Sequence, residues 1–71
     1  MSMEVKAPMT GKIVSIVVNV GDQVKADDEV VIMDAMKMEI PIYAPDDGTV
    51  KKINVKEGDS VKTDQVLVIL D

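Results

Sequence analysis

The chain has no cysteine, no histidine, no tryptophan and no phenylalanine, and Tyr43 is its only aromatic residue. Without cysteine there is no disulfide framework and no thiolate nucleophile. Without cysteine or histidine, a zinc centre would need carboxylates alone, against that ion's preference for nitrogen and sulfur ligands. Positive charge is also scarce. Eight basic residues face 13 acidic ones, for a net charge of −5, and the lysines form no cluster. Nucleic-acid binding needs a positive footprint to neutralise phosphates, so that class is set aside. The apolar runs are only a few residues long. That excludes a membrane-spanning helix and a secretory signal, and makes the cytoplasm the expected compartment.

What remains is aliphatic. Of the 71 residues, 46% are hydrophobic, and Val and Ile dominate them. Both are stiff at the first side-chain torsion and suit a pleated strand. A chain this short makes one domain, residues 1–71, with little core to spare.

The sequence is written twice. VKAPMTGKIVSIVVNVGDQVKADDEVVIMD, residues 5–34, aligns without a gap on IYAPDDGTVKKINVKEGDSVKTDQVLVILD, residues 42–71. Thirteen of the 30 pairs are identical, among them Ala7/Ala44, Pro8/Pro45, Gly11/Gly48, Gly21/Gly58, Asp22/Asp59 and Val24/Val61. Self-similarity at a fixed offset is the first thing to explain. The only unrepeated interior piece is Ala35 to Pro41.

Each copy reads as a run of short strands. Met3 to Ala7 is the first, ended by Pro8. Thr10-Gly11 is a turn, with Gly11 free to adopt positive φ. Lys12 to Val18 follows. Its apolar positions 16 and 18 keep the two-residue period and 13 breaks it, as do 55, 53 and 50 in the second copy. That break reads as a bulge in both. Asn19 to Asp22 is a turn centred on Gly21, Gln23 to Lys25 a very short strand with Val24 inward, and Ala26-Asp27-Asp28 a turn in which Asp27 tolerates a left-handed conformation. Glu29 to Met33 is a buried strand. Met38 to Ile42 is another, with Pro41 at an edge or bulge. In the second copy Thr49 to Val55, Ser60 to Lys62 and Val66 to Leu70 repeat the series. No segment has a helical period. Two copies, each too small to bury its apolar face, should pack about a pseudo-twofold axis. The expected fold is all-β, a flattened eight-stranded barrel or sandwich.

Under that symmetry the link between the copies is the counterpart of the chain termini and lies at the opposite end. Lys37 stands at its tip. Taken alone, Lys37 is one of eight basic residues and a solvated charge; its place at the midpoint of a duplicated chain sets it apart. Met36 and Met38 flank it. A methionine is usually a flexible core filler, but beside a hairpin tip two thioethers are badly placed to reach a core and well placed as an adaptable recognition surface. Asp46-Asp47-Gly48 does not continue the acidic spacing of a calcium loop and reads as a turn. Lys51-Lys52 reads as a solvated strand face.

Ala35-Met36-Lys37-Met38-Glu39, at the centre of this repeat, resembles the attachment motif of the biotinyl carrier domains of biotin-dependent carboxylases, decarboxylases and transcarboxylases. The resemblance covers almost the whole chain, including Ala7-Pro8 with Gly11, the Gly21-Asp22 and Gly58-Asp59 turns, and Ala44-Pro45 with Gly48. It implies a barrel-sandwich hybrid with the attachment lysine on the central turn. It also implies that a biotin protein ligase acylates Lys37 with biotin from biotinyl-AMP, with Asp34, Ala35, Met36, Met38 and Glu39 as the recognition residues. An exposed lysine amine is mostly protonated at neutral pH, so the ligase must help remove the proton. The biotin would then carry a carboxyl group between the sites of a biotin carboxylase and a carboxyltransferase or decarboxylase. The domain itself would be non-catalytic, and its contribution is tethering at high effective concentration.

Three positions depart from the family. Asp34 replaces the usual Glu, keeping the charge on a shorter arm. Thr10 stands where Pro is frequent and Asp27 where Gly is frequent. The gapless repeat leaves no room for the protruding thumb of some acetyl-CoA carboxylase carriers. The nearest rival is a lipoyl carrier, which shares the fold and the lysine turn but typically has Asp-Lys-Ala where this chain has Met-Lys-Met. Attachment of either group is a variant of that reading. A third reading is an unmodified interaction module that docks through its hairpin.

Overall fold

A computed structural model describes residues 2–71, and they contain eight strands and no helix. The strands are β1 (Met3–Lys6), β2 (Gly11–Ile16), β3 (Gln23–Val24), β4 (Glu29–Ala35), β5 (Met38–Tyr43), β6 (Gly48–Ile53), β7 (Ser60–Val61) and β8 (Val66–Leu70). They pair, all antiparallel, into two four-stranded sheets ordered β1-β8-β6-β3 and β5-β4-β2-β7. Moving 37 residues along the chain carries β2 onto β6 and β3 onto β7, and turns one sheet order into the other. The expected pseudo-twofold all-β sandwich is the fold found.

The out-of-phase position marks a real irregularity. The β2–β4 register shifts between Ile13 and Ser15, and the β6–β8 register between Val50 and Lys52. Ile13 and Val50 are each 1% exposed. The bulge lets Ile13 and Ile16 both turn toward the core although they are three residues apart.

Several of the identical residues of the repeat join the copies. The Gly21 amide donates to the Val50 carbonyl at 2.8 Å, and the Val50 amide donates to the Asp22 carbonyl at 2.8 Å. The counterpart bonds run from Gly58 to Ile13 and from Ile13 to Asp59, again at 2.8 Å. Each Gly-Asp turn of one copy is thus bonded to the bulged strand of the other. The Gly has φ of 97° at position 21 and 91° at position 58, a region that a side chain disfavours. The Asp folds back to cap its own turn. Its carboxylate accepts the Asn19 amide (Asp22) or the Lys56 amide (Asp59), both at 2.9 Å. The Ala-Pro pairs serve the same end. Ala7 exchanges backbone bonds with Asp64 and Gln65, and Ala44 with Asp27 and Asp28. Asp27 does adopt a left-handed conformation, φ 71°, and its counterpart Asp64 does too, φ 68°.

The core is aliphatic throughout. Val30, Val31, Met33, Leu67, Val68 and Leu70 are wholly buried, and among the described residues no polar or charged side chain is buried with them. Each such side chain contributes about 1.5–3 kcal/mol by leaving water, which a chain of this size needs.

Three expectations are corrected. Gly11 opens β2 and does not take positive φ. A Cβ there would collide with the Asp34 carbonyl oxygen and come within 2.7 Å of the Met33 methyl, so the glycine is required by close approach of β4. Ala35 belongs to β4, not to a linker, so the loop between the copies shrinks to two residues. Several strands end sooner than their apolar pattern, β2 at Ile16 and β6 at Ile53, because the following residues leave the ladder for the Gly-Asp turns.

Candidate functional site

Strands β4 and β5 are joined by Met36 and Lys37 alone, closed by the Ala35–Met38 pair. Both turn residues have positive φ, 55° for Met36 and 64° for Lys37. That is the signature of a type I′ hairpin turn, whose backbone twist suits antiparallel strands and whose usual occupants are Asn and Gly. Neither residue here is of that kind. Side chains held in this region cost on the order of 1–3 kcal/mol each, and such strain persists where the surroundings over-determine it. Here six register pairs between β4 and β5 impose it.

The result is a convex tip. Met36 is 84% exposed and Met38 66%. Lys37 is exposed, and among the described residues the one ion pair joins Lys6 to Glu4 at 3.8 Å, so no carboxylate neutralises the Lys37 amine. A hollow of about 430 Å³, lined by Gln23, Val24, Lys25, Asp47, Gly48 and Thr49, lies elsewhere.

Two rows of side chains support the tip. In one row Met38 pairs with Ala35 and Gly11 pairs with Val61, and Ala35 faces Gly11 across the gap between these two pairs. Ala35 is 4% exposed and lies 3.1 Å from where a Gly11 Cβ would be. Small residues at 11 and 35 let β2 approach the base of the hairpin. In the outer row Glu39, Asp34, Lys12 and Ser60 are consecutive partners, all exposed. The residues singled out in sequence therefore divide. Asp34, Met36, Lys37, Met38 and Glu39 share one end of the molecule with their side chains in solvent, whereas the Ala35 side chain faces the core. Lys12 joins this group unannounced. Its only signal in sequence is that it differs from its counterpart Thr49.

The tip is remote from Met3 and Asp71. Leu70 pairs with Met3, and Asp71 exchanges backbone bonds with Thr49. Gly48 next to it pairs with Val24, and the Asp47 carboxylate accepts the Ala26 amide at 2.8 Å. Asp28 and Glu29, where β4 begins, pair with Ala44 and Tyr43. Met3 and Asp71 thus lie toward the end of the molecule where β4 begins, and β4 runs seven residues from there to the tip. The body is 32 Å long and 17 Å across.

Two sheets of this order, related by a pseudo-twofold axis and joined through a closed two-residue turn, define the barrel-sandwich class of fold. Comparison with known proteins narrows the class. The family described as biotin-requiring enzyme, which takes in the biotin and lipoyl domains, matches residues 3–70. The chain belongs to that family. It is 43% identical over 42 residues to the biotinylated protein TB7.3 of Mycobacterium tuberculosis, a match that covers 59% of each chain. It is 53% identical over 38 residues to the glutaconyl-CoA decarboxylase subunit gamma of Acidaminococcus fermentans, covering 54% of this chain and 26% of that one. The matched stretch thus spans little more than half of the first of these relatives and about a quarter of the second. Among solved structures, the urea carboxylase of Kluyveromyces lactis contains a region that superposes on the whole chain with a TM-score of 0.95 at 34% identity, and that region is 6% of the enzyme. A single-chain, multi-domain long-chain acyl-CoA carboxylase matches 96% of the chain with a TM-score of 0.90 at 26% identity, over 7% of its own length.

Proposed function

We propose that Lys37 is the attachment point of biotin, through an amide to its Nζ, and that the domain is the non-catalytic carrier of a biotin-dependent carboxylase or decarboxylase. The observation that carries this reading is the tip itself: an exposed amine on a strained two-residue turn, beyond the last pair of the β4–β5 ladder. The site fits a covalently held group. A convex tip with an exposed amine can be entered by another enzyme's active site, and nothing on the tip encloses a small molecule. When bound, biotin supplies the chemistry of accepting and releasing a carboxyl group.

The chain's own residues present and orient the arm. The positive φ values at Met36 and Lys37 turn the backbone so that the lysine projects beyond the last ladder pair. Met36 and Met38 offer two flexible apolar contacts for a biotin protein ligase and for the carboxylase sites. Asp34 and Glu39 add a negative rim behind them, and Ala35 acts from inside by letting the hairpin sit close against Gly11. The partners are a biotin protein ligase, a biotin carboxylase, and a carboxyltransferase or decarboxylase. The names of the relatives, one a biotinylated protein and one a decarboxylase subunit, support the same reading.

The test is intact mass after co-expression with a biotin protein ligase in the presence of biotin, followed by peptide mapping. A gain of one biotinyl group on Lys37, lost in Lys37→Ala, is the expected outcome. A lipoyl group at the same residue would move the domain to the lipoyl branch of the family. No modification by either ligase would overturn the carrier reading and leave a docking module.

A further inference from the structure

The chain has neither cysteine nor tryptophan nor histidine, so its thioethers are the groups most open to mild oxidation. Their burial is unequal. Met33 is wholly buried, and Met3 and Met9 are partly buried against the core. Met36 and Met38 are 84% and 66% exposed. They flank Lys37 on both sides, so every enzyme that reaches that amine meets them first. We propose that Met36 and Met38 form a redox-sensitive modification site, whose conversion to sulfoxides by hydroperoxides blocks docking at the Lys37 tip and is undone by a thiol-dependent reductase. This rests on the carrier reading of Lys37.

The chemistry balances without a metal or cofactor. The thioether sulfur attacks one oxygen of the hydroperoxide, an S–O bond forms, and the O–O bond breaks. Sulfur loses two electrons, and the peroxide leaves as an alcohol, or as water when the oxidant is hydrogen peroxide. In the return step two thiols give up two electrons and become a disulfide, and the sulfoxide oxygen leaves as water. Methionine sulfoxide is reducible in this way, whereas higher oxidation states of sulfur are not.

The effect on docking follows from polarity. An exposed methionine gains affinity by carrying apolar area and a flexible, polarisable group into a partner's pocket. A sulfoxide is polar and chiral, and burying it without a matched donor reverses that gain. Losing the burial of one such side chain corresponds to about a tenfold loss of affinity or more. The fold itself stays intact, because neither side chain reaches the core.

Selectivity and consequence can be tested in one preparation. The chain is treated with a few equivalents of hydrogen peroxide, desalted, and mapped by peptide mass. It is then offered to a purified biotin protein ligase with biotin and ATP. The expected result is oxygen on Met36 and Met38 before Met3, Met9 or Met33, whatever the map shows at Met1, and a Lys37 acylation rate lower by about tenfold or more, restored by methionine sulfoxide reductase with a dithiol. The double variant Met36→Leu, Met38→Leu serves as its own reference: whatever its basal rate, the ratio before and after peroxide stays at one. Oxidation that begins at Met3, Met9 or Met33, or an oxidised tip acylated at the untreated rate, overturns the proposal while leaving the carrier reading intact. An untreated chain that the ligase does not acylate overturns both.

Discussion

Asp34 stands directly opposite Glu39 across the β4–β5 ladder, one register pair behind the pair that closes the lysine turn. Like charges in that relation repel, and the only cation in the row is Lys12, the partner of Asp34 on its other side. Glu39→Gln is therefore expected to stabilise the fold slightly, by about half a kcal/mol or less, with the gain shrinking as salt is added. Urea denaturation at two ionic strengths measures it. The same substitution should slow acylation of Lys37 if the negative rim is used in recognition. A variant that is both more stable and less readily acylated would show the acid pair to be kept for a partner.

Gly11 and Gly48 are identical in the repeat but differ in space. A Cβ at 11 meets the Asp34 carbonyl and the Met33 methyl, whereas at 48 the nearest atoms are 3.2 Å away. Gly11→Ala should cost roughly 1–3 kcal/mol or more, as overpacking does. Gly48→Ala should cost less. At about 4–8 °C per kcal/mol for a domain of this size, thermal melting separates the two. Equal losses would mean that the sheets relax around either position.

The strained turn should be improvable at the expense of its lysine. Met36→Asn with Lys37→Gly installs the usual type I′ pair and relieves two unfavourable conformations. A gain of about 1–2 kcal/mol is expected, with acylation abolished. Calorimetric melting of the double variant decides the point. A fall in melting temperature would show that the Met and Lys side chains stabilise the turn by contacts that outweigh its strain.

Ala35 is expected to act through position. Ala35→Leu forces a larger side chain against Gly11 and should destabilise by about 1–3 kcal/mol, while loosening the base of the hairpin and lowering the acylation rate. Ala35→Ser, of similar size, should keep both near the parent values. Acylation lost in the serine variant at unchanged stability would instead mark Ala35 as a direct contact.

Most of the fold is legible in the sequence because the duplication doubles each signal. The phase break at Ile13 could be an accident, but with the same break at Val50 it is a bulge, and both register shifts fall there. Asp27 is readable as left-handed from residue type. The role of Gly11 is hidden, because a glycine required by a neighbouring strand looks the same as one required by its own φ. The extent of β4 is hidden as well. Ala35 carries no strand preference, and Met-Lys is not a turn signal, so nothing local says that the ladder continues to a two-residue loop. The turn is imposed by the pairing of β4 with β5. Lys12 escapes because its relation to Asp34 is one of register across a sheet.

The symmetry gives the lysine hairpin a counterpart in the pairing of β1 with β8. Leu70 and Met3 pair as their counterparts Met33 and Ile40 do, so β1 and β8 approach one another as the two arms of the lysine hairpin do. A short loop carrying a second Met-Lys-Met, built between them in a chain reopened at a surface turn such as Asp46-Asp47, would turn the domain into a double-ended carrier. Its two lysines would face away from each other along the long axis, able to serve two enzymes at once.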